Sequence, residues 1–465
     1  MAQPNSAKVL EVCRVAPASR APNSATQTPL PLTFFDIFWL RFPPLLPLFF
    51  YESPHPKATL LDTILPKLKH SLSFTLQHYL PLAGNLTWPP DSPKPIIQYN
   101  EGDAVSLTIA ESEANFYDLS GNGFREAEKF HHLLPCLLAS EARAPVMALQ
   151  VTLFPKAGFS IGFAAHHAVF DGKSGAMFIH SWASSCRLGE DSTLAPELTP
   201  FYDRTVVSDP TDQIEKAYLN GWLAHNGPNN RSLEIWDLKA PPGVMFGTFQ
   251  MTQANMESIK KWVKAKLQEK KHNENKPAAL HQSTFVTASA YTWVCLIKTR
   301  KLPTEKVQLA ISVDCRARLE PPVPSTYFGN CITGCIVHAD TNELMGEDGV
   351  AVAVRAIGGA IGRLDDGVLK GAEGLITNLL SPRKEEGVFG IAGSPRFEFY
   401  KTDFGWGRPR KVEMVQIEKG GAFTLSNSRD GNGGIEIGVA LKKHETEAFA
   451  SMFASGLEYH EVHDS

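Results

Sequence analysis

The stretch VMALQVTLFPKAGFSIGFAAHH, residues 146–167, constrains this chain more than any other. Met147, Leu149, Val151 and Leu153 alternate along its first half. PKAG turns the chain, and FSIGFAAHH alternates back. A period of two on both sides of a short turn predicts an antiparallel hairpin with its register set by the apolar face. SGAMFIHSWASSC follows at once with the spacing of a short helix. Strand, turn and helix in direct succession imply an α/β layered fold.

The rest of the chain repeats that mixture. LLDTILPKLKHSLSFTLQHYL places Leu61, Ile64, Leu65, Leu68, Leu72, Leu76 and Tyr79 on one helical face, and PLAGN stops it. TQANMESIKKWVKAKLQ, STFVTASAYTWVCLIKTR and KHETEAFASMFASGL read as helices. GVMFGTFQM, KVQLAISVDCR, TGCIVHA, KVEMVQIEK, GAFTLSNS and GGIEIGVAL read as strands. RDGNGG between the last two supplies glycines for a turn. KKHNENKPAA reads as a solvated loop. Prolines and charges with little periodicity mark a crossover over 191–218. The expected division is therefore 1–190, a linker over 191–218, and 219–465, with no internal repeat in the sequence.

Composition narrows the class of function. The 465 residues carry a formal charge of -4, which argues against non-specific nucleic-acid binding. Seven cysteines, at 13, 136, 186, 295, 315, 331 and 335, are odd in number and widely scattered. They do not form a disulfide framework and point to a reducing, cytosolic compartment. Cys331 and Cys335 match no zinc spacing and read as core residues. The N-terminus lacks a basic start followed by an apolar block, so no secretory signal is expected. Leu30 to Tyr51 is apolar enough to test as a membrane span. Asp36, Arg41 and the prolines at 43, 44 and 47 rule it out.

The hairpin runs into HHAVFDGKSG, His166 to Gly175. Continued alternation puts His167 on the face of Phe159, Ile161, Phe163 and Ala165, and His166 on the opposite face. Gly172 opens a turn before the helix. An imidazole at a strand–turn junction sits on rigid backbone and titrates near pH ~6.5, so it can accept a proton from a hydroxyl. Asp171 could orient that imidazole as in a triad, or pair with a distant arginine and fix the turn. Structural polar residues, a metal site and a general base all remain open on local grounds. The metal is disfavoured because neighbouring strand residues point apart.

A second stretch, DFGWG from Asp403 to Gly407, changes the weighing. HHAVFDG with DFGWG downstream resembles the plant BAHD acyltransferases, which use acyl-CoA thioesters. His167, Asp171 and Gly172 meet the family's first motif, and Asp403, Phe404, Gly405, Trp406 and Gly407 meet its second. LPLTFFDIFWL, YLPLAGN and DCRARLEPPVPSTYFGNC are also similar to this family, so the resemblance runs from about residue 8 to the C-terminus. YFGNC, Tyr327 to Cys331, is similar to a motif of the subgroup that acylates sugar hydroxyls of anthocyanin, flavonoid and phenolic glycosides. Members use malonyl-CoA, or in other cases hydroxycinnamoyl-CoA.

The resemblance implies two chloramphenicol-acetyltransferase-like α/β domains with a solvent channel between them. It implies a monomer with no metal and no cofactor beyond acyl-CoA as co-substrate, and no nucleic-acid or membrane partner. It makes His167 the base in mid-channel. It turns Asp171 away to an arginine, either Arg316 or Arg318, in support of the site. The DFGWG loop becomes structural, with Asp403 retained as a second acid–base candidate. Lys173 is a candidate for a malonyl carboxylate, with Ser174 beside it, at a helix N-terminus that favours an anion. Lys260, Lys261 and Lys264, with Ser283 and Thr284, are candidates for CoA. Phe38 and Trp39 are candidates for the acceptor channel. The expected activity is malonyl transfer to a phenolic, flavonoid or anthocyanin glucoside. The alternatives are a coumaroyl transferase on such glucosides and a catalytically silent ligand-binding relative.

Overall fold

The computed structural model describes residues 7–18, 29–189, 193–271, 282–381, 387–419 and 421–462. Most of the KKHNENKPAA segment, and residues 191 and 192 of the crossover, lie outside them.

Two mixed sheets organise the chain. The first runs Lys8–Val15, Val105–Glu111, Met147–Phe154, Gly158–Ala165, Pro47–Glu52 and Lys411–Met414. The hairpin lies at its centre, with Ala165 opposite Met147 and Gly158 opposite Phe154. Every residue of both hairpin strands is buried, so both faces of the sheet are covered here. The helix Gly172–Leu188 packs on one side against the helix Leu65–His78, through Trp182, Leu68 and Leu72. Trp182 donates its indole N–H to the carbonyl of Leu68 at 3.2 Å, which satisfies the one polar atom of a buried ring.

The second sheet runs Ile332–Asp340, Lys306–Asp314, Val388–Ala392, Ala422–Asn427, Ile435–Lys442, Val244–Met251 and Arg125–Glu126. The helices Gln253–Lys271, Thr284–Arg300, Gly349–Gly362 and Thr446–Val462 cover it and share its core. Val286, Trp293 and Leu296 of the second helix meet Leu309 and Ile311 of the sheet in that core.

Each sheet borrows a strand from the other half of the chain. Lys411–Met414 pairs with Pro47–Glu52, and Arg125–Glu126 pairs with Val244–Met251. The exchange buries charge. Lys411 donates to Glu436 at 2.9 Å and to the Thr248 hydroxyl at 2.7 Å. Arg125 lies 3.1 Å from Glu413, and Tyr400 donates its hydroxyl to Glu436. Desolvating four charges is costly unless each finds a partner, and here every charge has one. These contacts tie the two sheets together.

Candidate active site

The strand carrying the histidine motif stops at Ala165, where its N–H and C=O both pair with Leu45. Residues 166–170 form a turn, and Asp171 caps the helix Gly172–Leu188 by accepting the Ser174 N–H at 2.9 Å. The expected strand faces for His166 and His167 therefore do not exist, since both histidines lie beyond the strand. The turn separates them instead. His166 is fully buried, and its Nδ1 accepts the Ala168 N–H at 3.2 Å. Burial, and then the neighbouring His167, pull it down to about 4.

His167 keeps part of its surface open. Its Nδ1 is covered and makes no hydrogen bond, so Nε2 is the nitrogen that faces open space. Burial pulls this imidazole down to about 4 as well, while its own carbonyl beside the ring opposes the shift. A neutral ring with its proton on the covered Nδ1 leaves the Nε2 lone pair free. The group is neutral at physiological pH and ready to accept a proton.

Asp171 turns from His167 into a buried clamp. Its Oδ2 accepts from Arg316 Nη1 at 2.8 Å and from the Cys331 N–H at 3.0 Å. Arg316 also donates to Asp314 at 3.0 Å, and to Ser174 Oγ and the carbonyls of Tyr327 and Gly329 at 3.1 Å each. Arg318 is not part of this cluster. It pairs with exposed Asp365 at 2.8 Å, so only Arg316 of the two arginines supports the site. Ser174 also departs from its expected acyl-binding role. It is buried and donates its hydroxyl to Gly329 O at 3.0 Å, which leaves it no free donor for a ligand. Gly172 is required by close approach, because a Cβ there would meet the Phe397 ring at 2.5 Å. Lys173 points outward and lies 3.3 Å from Asp314.

A second clamp escaped the sequence reasoning. Asn330 donates its backbone N–H to Asp36 Oδ1 at 2.8 Å, and its Nδ2 to the same oxygen at 3.0 Å. The same Nδ2 reaches the His167 carbonyl at 2.9 Å. Asp36 Oδ2 accepts from the Thr33 N–H and hydroxyl, at 3.0 and 2.9 Å. Arg204 sits 3.7 Å from that carboxylate and donates to the Tyr327 hydroxyl. The YFGNC segment thus binds three distant parts of the chain. One signal was available, because Asp36 is the only acid between Leu30 and Tyr51. A lone acid in an apolar segment that does not cross a membrane needs a buried partner.

Aromatic rings wall the open side of His167. Trp39 stacks on the imidazole with centroids 4.0 Å apart and planes 5° from parallel. Phe42 meets it edge-on at 6.3 Å. Phe38 is one ring removed, on Trp39 at 5.1 Å and on Tyr218 at 5.3 Å, and Trp236 packs on Phe42 at 5.4 Å.

The DFGWG loop lies at the other end of the hairpin. Asp403 Oδ1 accepts the N–H groups of Gly405 and Gly407, at 2.7 and 3.0 Å. Both glycines have positive φ, 103° and 94°, which the tight loop demands. Phe404 is buried against Trp182 at 4.9 Å and Tyr51 at 5.6 Å. Trp406 meets Phe159 edge-on at 6.1 Å. Phe159 stands six residues before Ala165, or about 20 Å at the ~3.3 Å rise of a strand. Asp403 is therefore a loop-closing residue and not a second acid–base group at His167.

Of the residues expected to meet CoA, three converge. Lys260 Nζ lies 3.5 Å from Thr284 Oγ1 and 2.7 Å from Glu257. Ser283 caps the helix Thr284–Arg300 through the Val286 N–H. Lys261 and Lys264 lie on the exposed face of the preceding helix. Among the described residues, no three His, Cys, Asp or Glu side chains cluster as metal ligands, and no helix is long and apolar enough to cross a membrane.

Comparison with known proteins fits this arrangement. The Transferase family model matches residues 9–455. Phenolic glucoside malonyltransferase 1 of Arabidopsis thaliana is 40% identical over 470 residues, covering 98% of each chain. Malonyl-CoA:anthocyanidin 5-O-glucoside-6''-O-malonyltransferase of the same plant is 42% identical, covering 97% of this chain and 98% of its own. The crystal structure of vinorine synthase superposes with a TM-score of 0.68 at 20% identity, over 96% of this chain and 98% of its own, a likeness of fold. With that match along nearly the whole chain, and with the histidine turn and both clamps in place, the chain belongs to the BAHD family of acyl-CoA-dependent acyltransferases.

Proposed function

We propose that this enzyme transfers a malonyl group from malonyl-CoA to a sugar hydroxyl of a phenolic, flavonoid or anthocyanin glucoside, with His167 as general base. The observation that carries the mechanism is the open Nε2 of a neutral imidazole beside an aromatic wall. Nε2 takes the hydroxyl proton, and the alkoxide attacks the thioester carbonyl. The tetrahedral intermediate collapses, the C–S bond breaks, and the proton on His167 passes to the departing thiolate. Holding both substrates together makes the attack effectively unimolecular.

Direct transfer without an acyl-enzyme is favoured by the state of the nearby nucleophiles. Ser174 Oγ is committed to Gly329 O. The buried Cys315 and Cys331 thiols are pushed up by burial, Cys315 to about 12, so neither supplies a thiolate. Phe38, Trp39, Phe42 and Trp236 offer flat apolar surface to an aromatic aglycone. The malonyl donor is supported by the names of the relatives cited above, and by Lys173 at the start of the helix Gly172–Leu188. We read the enzyme as a cytosolic monomer that needs no cofactor or metal. Seven free cysteines support the compartment.

Malonyl-, acetyl- and coumaroyl-CoA, each combined with several flavonoid and simple phenolic glucosides and read by mass, test this function. The expected product is a malonylated glucoside. Coumaroyl transfer in its place, or no thiol release with any pair, would refute it. A relative named agmatine coumaroyltransferase, 37% identical, gives the coumaroyl arm its purpose.

Lys173→Ala is expected to raise KM for malonyl-CoA about 5- to 10-fold, the scale of an exposed charge-assisted hydrogen bond, and to leave acetyl-CoA within about twofold. Equal effects on the two donors would remove Lys173 from donor selection. The existing contact to Asp314 keeps the expected change modest, because the ammonium must divide itself between two carboxylates.

A further inference from the structure

A base that accepts a proton in a buried site must carry positive charge in the transition state, and something must stabilise that charge. Asp171 does not face His167 as a free carboxylate, since Arg316 and the Cys331 N–H hold its Oδ2 and the Ser174 N–H holds its Oδ1. His166, whose own protonation the neighbouring His167 disfavours, is buried and neutral and offers no negative charge. Asn330 donates to the His167 carbonyl at 2.9 Å, and its side chain and the more distant Asp171 charge favour the protonated ring, but burial outweighs both. The ring of His167 does have one full face covered, by Trp39, at 4.0 Å and 5° from parallel. An indole face attracts a cation within ~6 Å of its centroid, and a desolvated setting strengthens that attraction.

We propose that Trp39 is a positioning residue that acts through His167: its π face fixes the imidazole plane and stabilises the imidazolium formed when Nε2 takes the hydroxyl proton. This goes beyond a role as acceptor wall, and it rests on the reading of His167 as the base. The interaction with neutral imidazole is weaker than with imidazolium, so the contact favours the transition state over the ground state and acts on kcat. Trp39 adjoins the helix Phe34–Phe38, which also carries Asp36. One short segment thus holds the ring of His167 directly and its carbonyl through Asn330.

The test is a fluorination series at position 39, with 5-fluoro-, 5,7-difluoro- and 5,6,7-trifluorotryptophan placed by nonsense suppression. Fluorine drains the π face and nearly preserves the shape of the ring, so folding and packing stay constant. We expect kcat to fall with each fluorine, by about 2- to 30-fold over the series, with KM for malonyl-CoA within about twofold. Trp39→Phe should keep most of kcat, and Trp39→Leu should lose about 10-fold or more. The acid limb of kcat/KM should move to lower pH in Trp39→Leu, because losing the π face disfavours the protonated ring. A flat fluorination series with an inactive His167→Ala protein overturns the inference alone. Wild-type turnover by His167→Ala overturns the base assignment and this inference together. A rise in the glucoside KM without any change in kcat overturns the inference and leaves Trp39 as a wall of the acceptor site.

Discussion

His167→Ala protein, folded and binding malonyl-CoA normally, is expected to turn over about 10²- to 10⁴-fold more slowly than the wild type. The fall should appear in kcat, because the imidazole acts on the hydroxyl proton and not on CoA binding. Steady-state kinetics with malonyl-CoA and a phenolic glucoside read this directly, and undiminished kcat would remove His167 as the base. The pH profile gives a second reading. Burial holds the imidazole at about 4, so the wild-type kcat/KM should stay level well below pH ~6.5, the usual histidine range, and fall only toward pH 4. An acid limb centred near 6.5 would contradict the buried environment.

The same shift has a consequence for stability. A histidine whose folded pKa lies below its unfolded value contributes stability that is fully present above pH ~6.5. That contribution is lost as the pH falls toward 4, because the unfolded chain binds protons the native site refuses. His166 shares the shift and adds to the effect.

Arg316→Met is expected to lower stability by about 3–5 kcal/mol, the usual cost of breaking a buried ion pair by removing one partner. Arg316 and Asp171 are both almost completely buried, and loss of the guanidinium strands a carboxylate and two carbonyls at once. Thermal unfolding should show a midpoint lower by roughly 3–5 °C. Activity should fall with it, since Asp171 also anchors the N-terminus of the helix that follows His167. The double variant Asp171→Leu, Arg316→Met should regain much of that loss, because no unpaired charge then remains. An unchanged midpoint in Arg316→Met would show that the clamp does not hold the site together. Recovery of stability without recovery of activity in the double variant would separate the clamp's structural role from its effect on His167.

Much of this protein was legible in its sequence, and the particular residues say why. The hairpin was readable because side chains in a strand repeat every two residues, so seven or eight positions define a face. The helix after Asp171 was readable from its three-to-four-residue spacing, though it is longer than the short helix expected and runs over Gly172–Leu188. His167 stood out through spacing within five residues, and DFGWG fixed the family. Alternation alone carries the two histidines onto strand faces, because nothing local shows that the strand ends at Ala165. Its last pairing is with Leu45, an isolated bridge partner more than a hundred residues earlier.

What only the tertiary structure decided lies across long separations. Arg316 and Arg318 are two residues apart and chemically identical, and assembly alone brings one to Asp171 and the other to Asp365. Ser174 looked available because its partners, the carbonyls of Tyr327 and Gly329, lie about 150 residues away. Asp36 and Asn330 meet across 294 positions, and Trp39 reaches His167 from more than a hundred residues earlier in the chain. Local periodicity specifies which face a side chain occupies. The partner it finds there depends on how two sheets exchange strands and close on each other, and no window of sequence contains that packing.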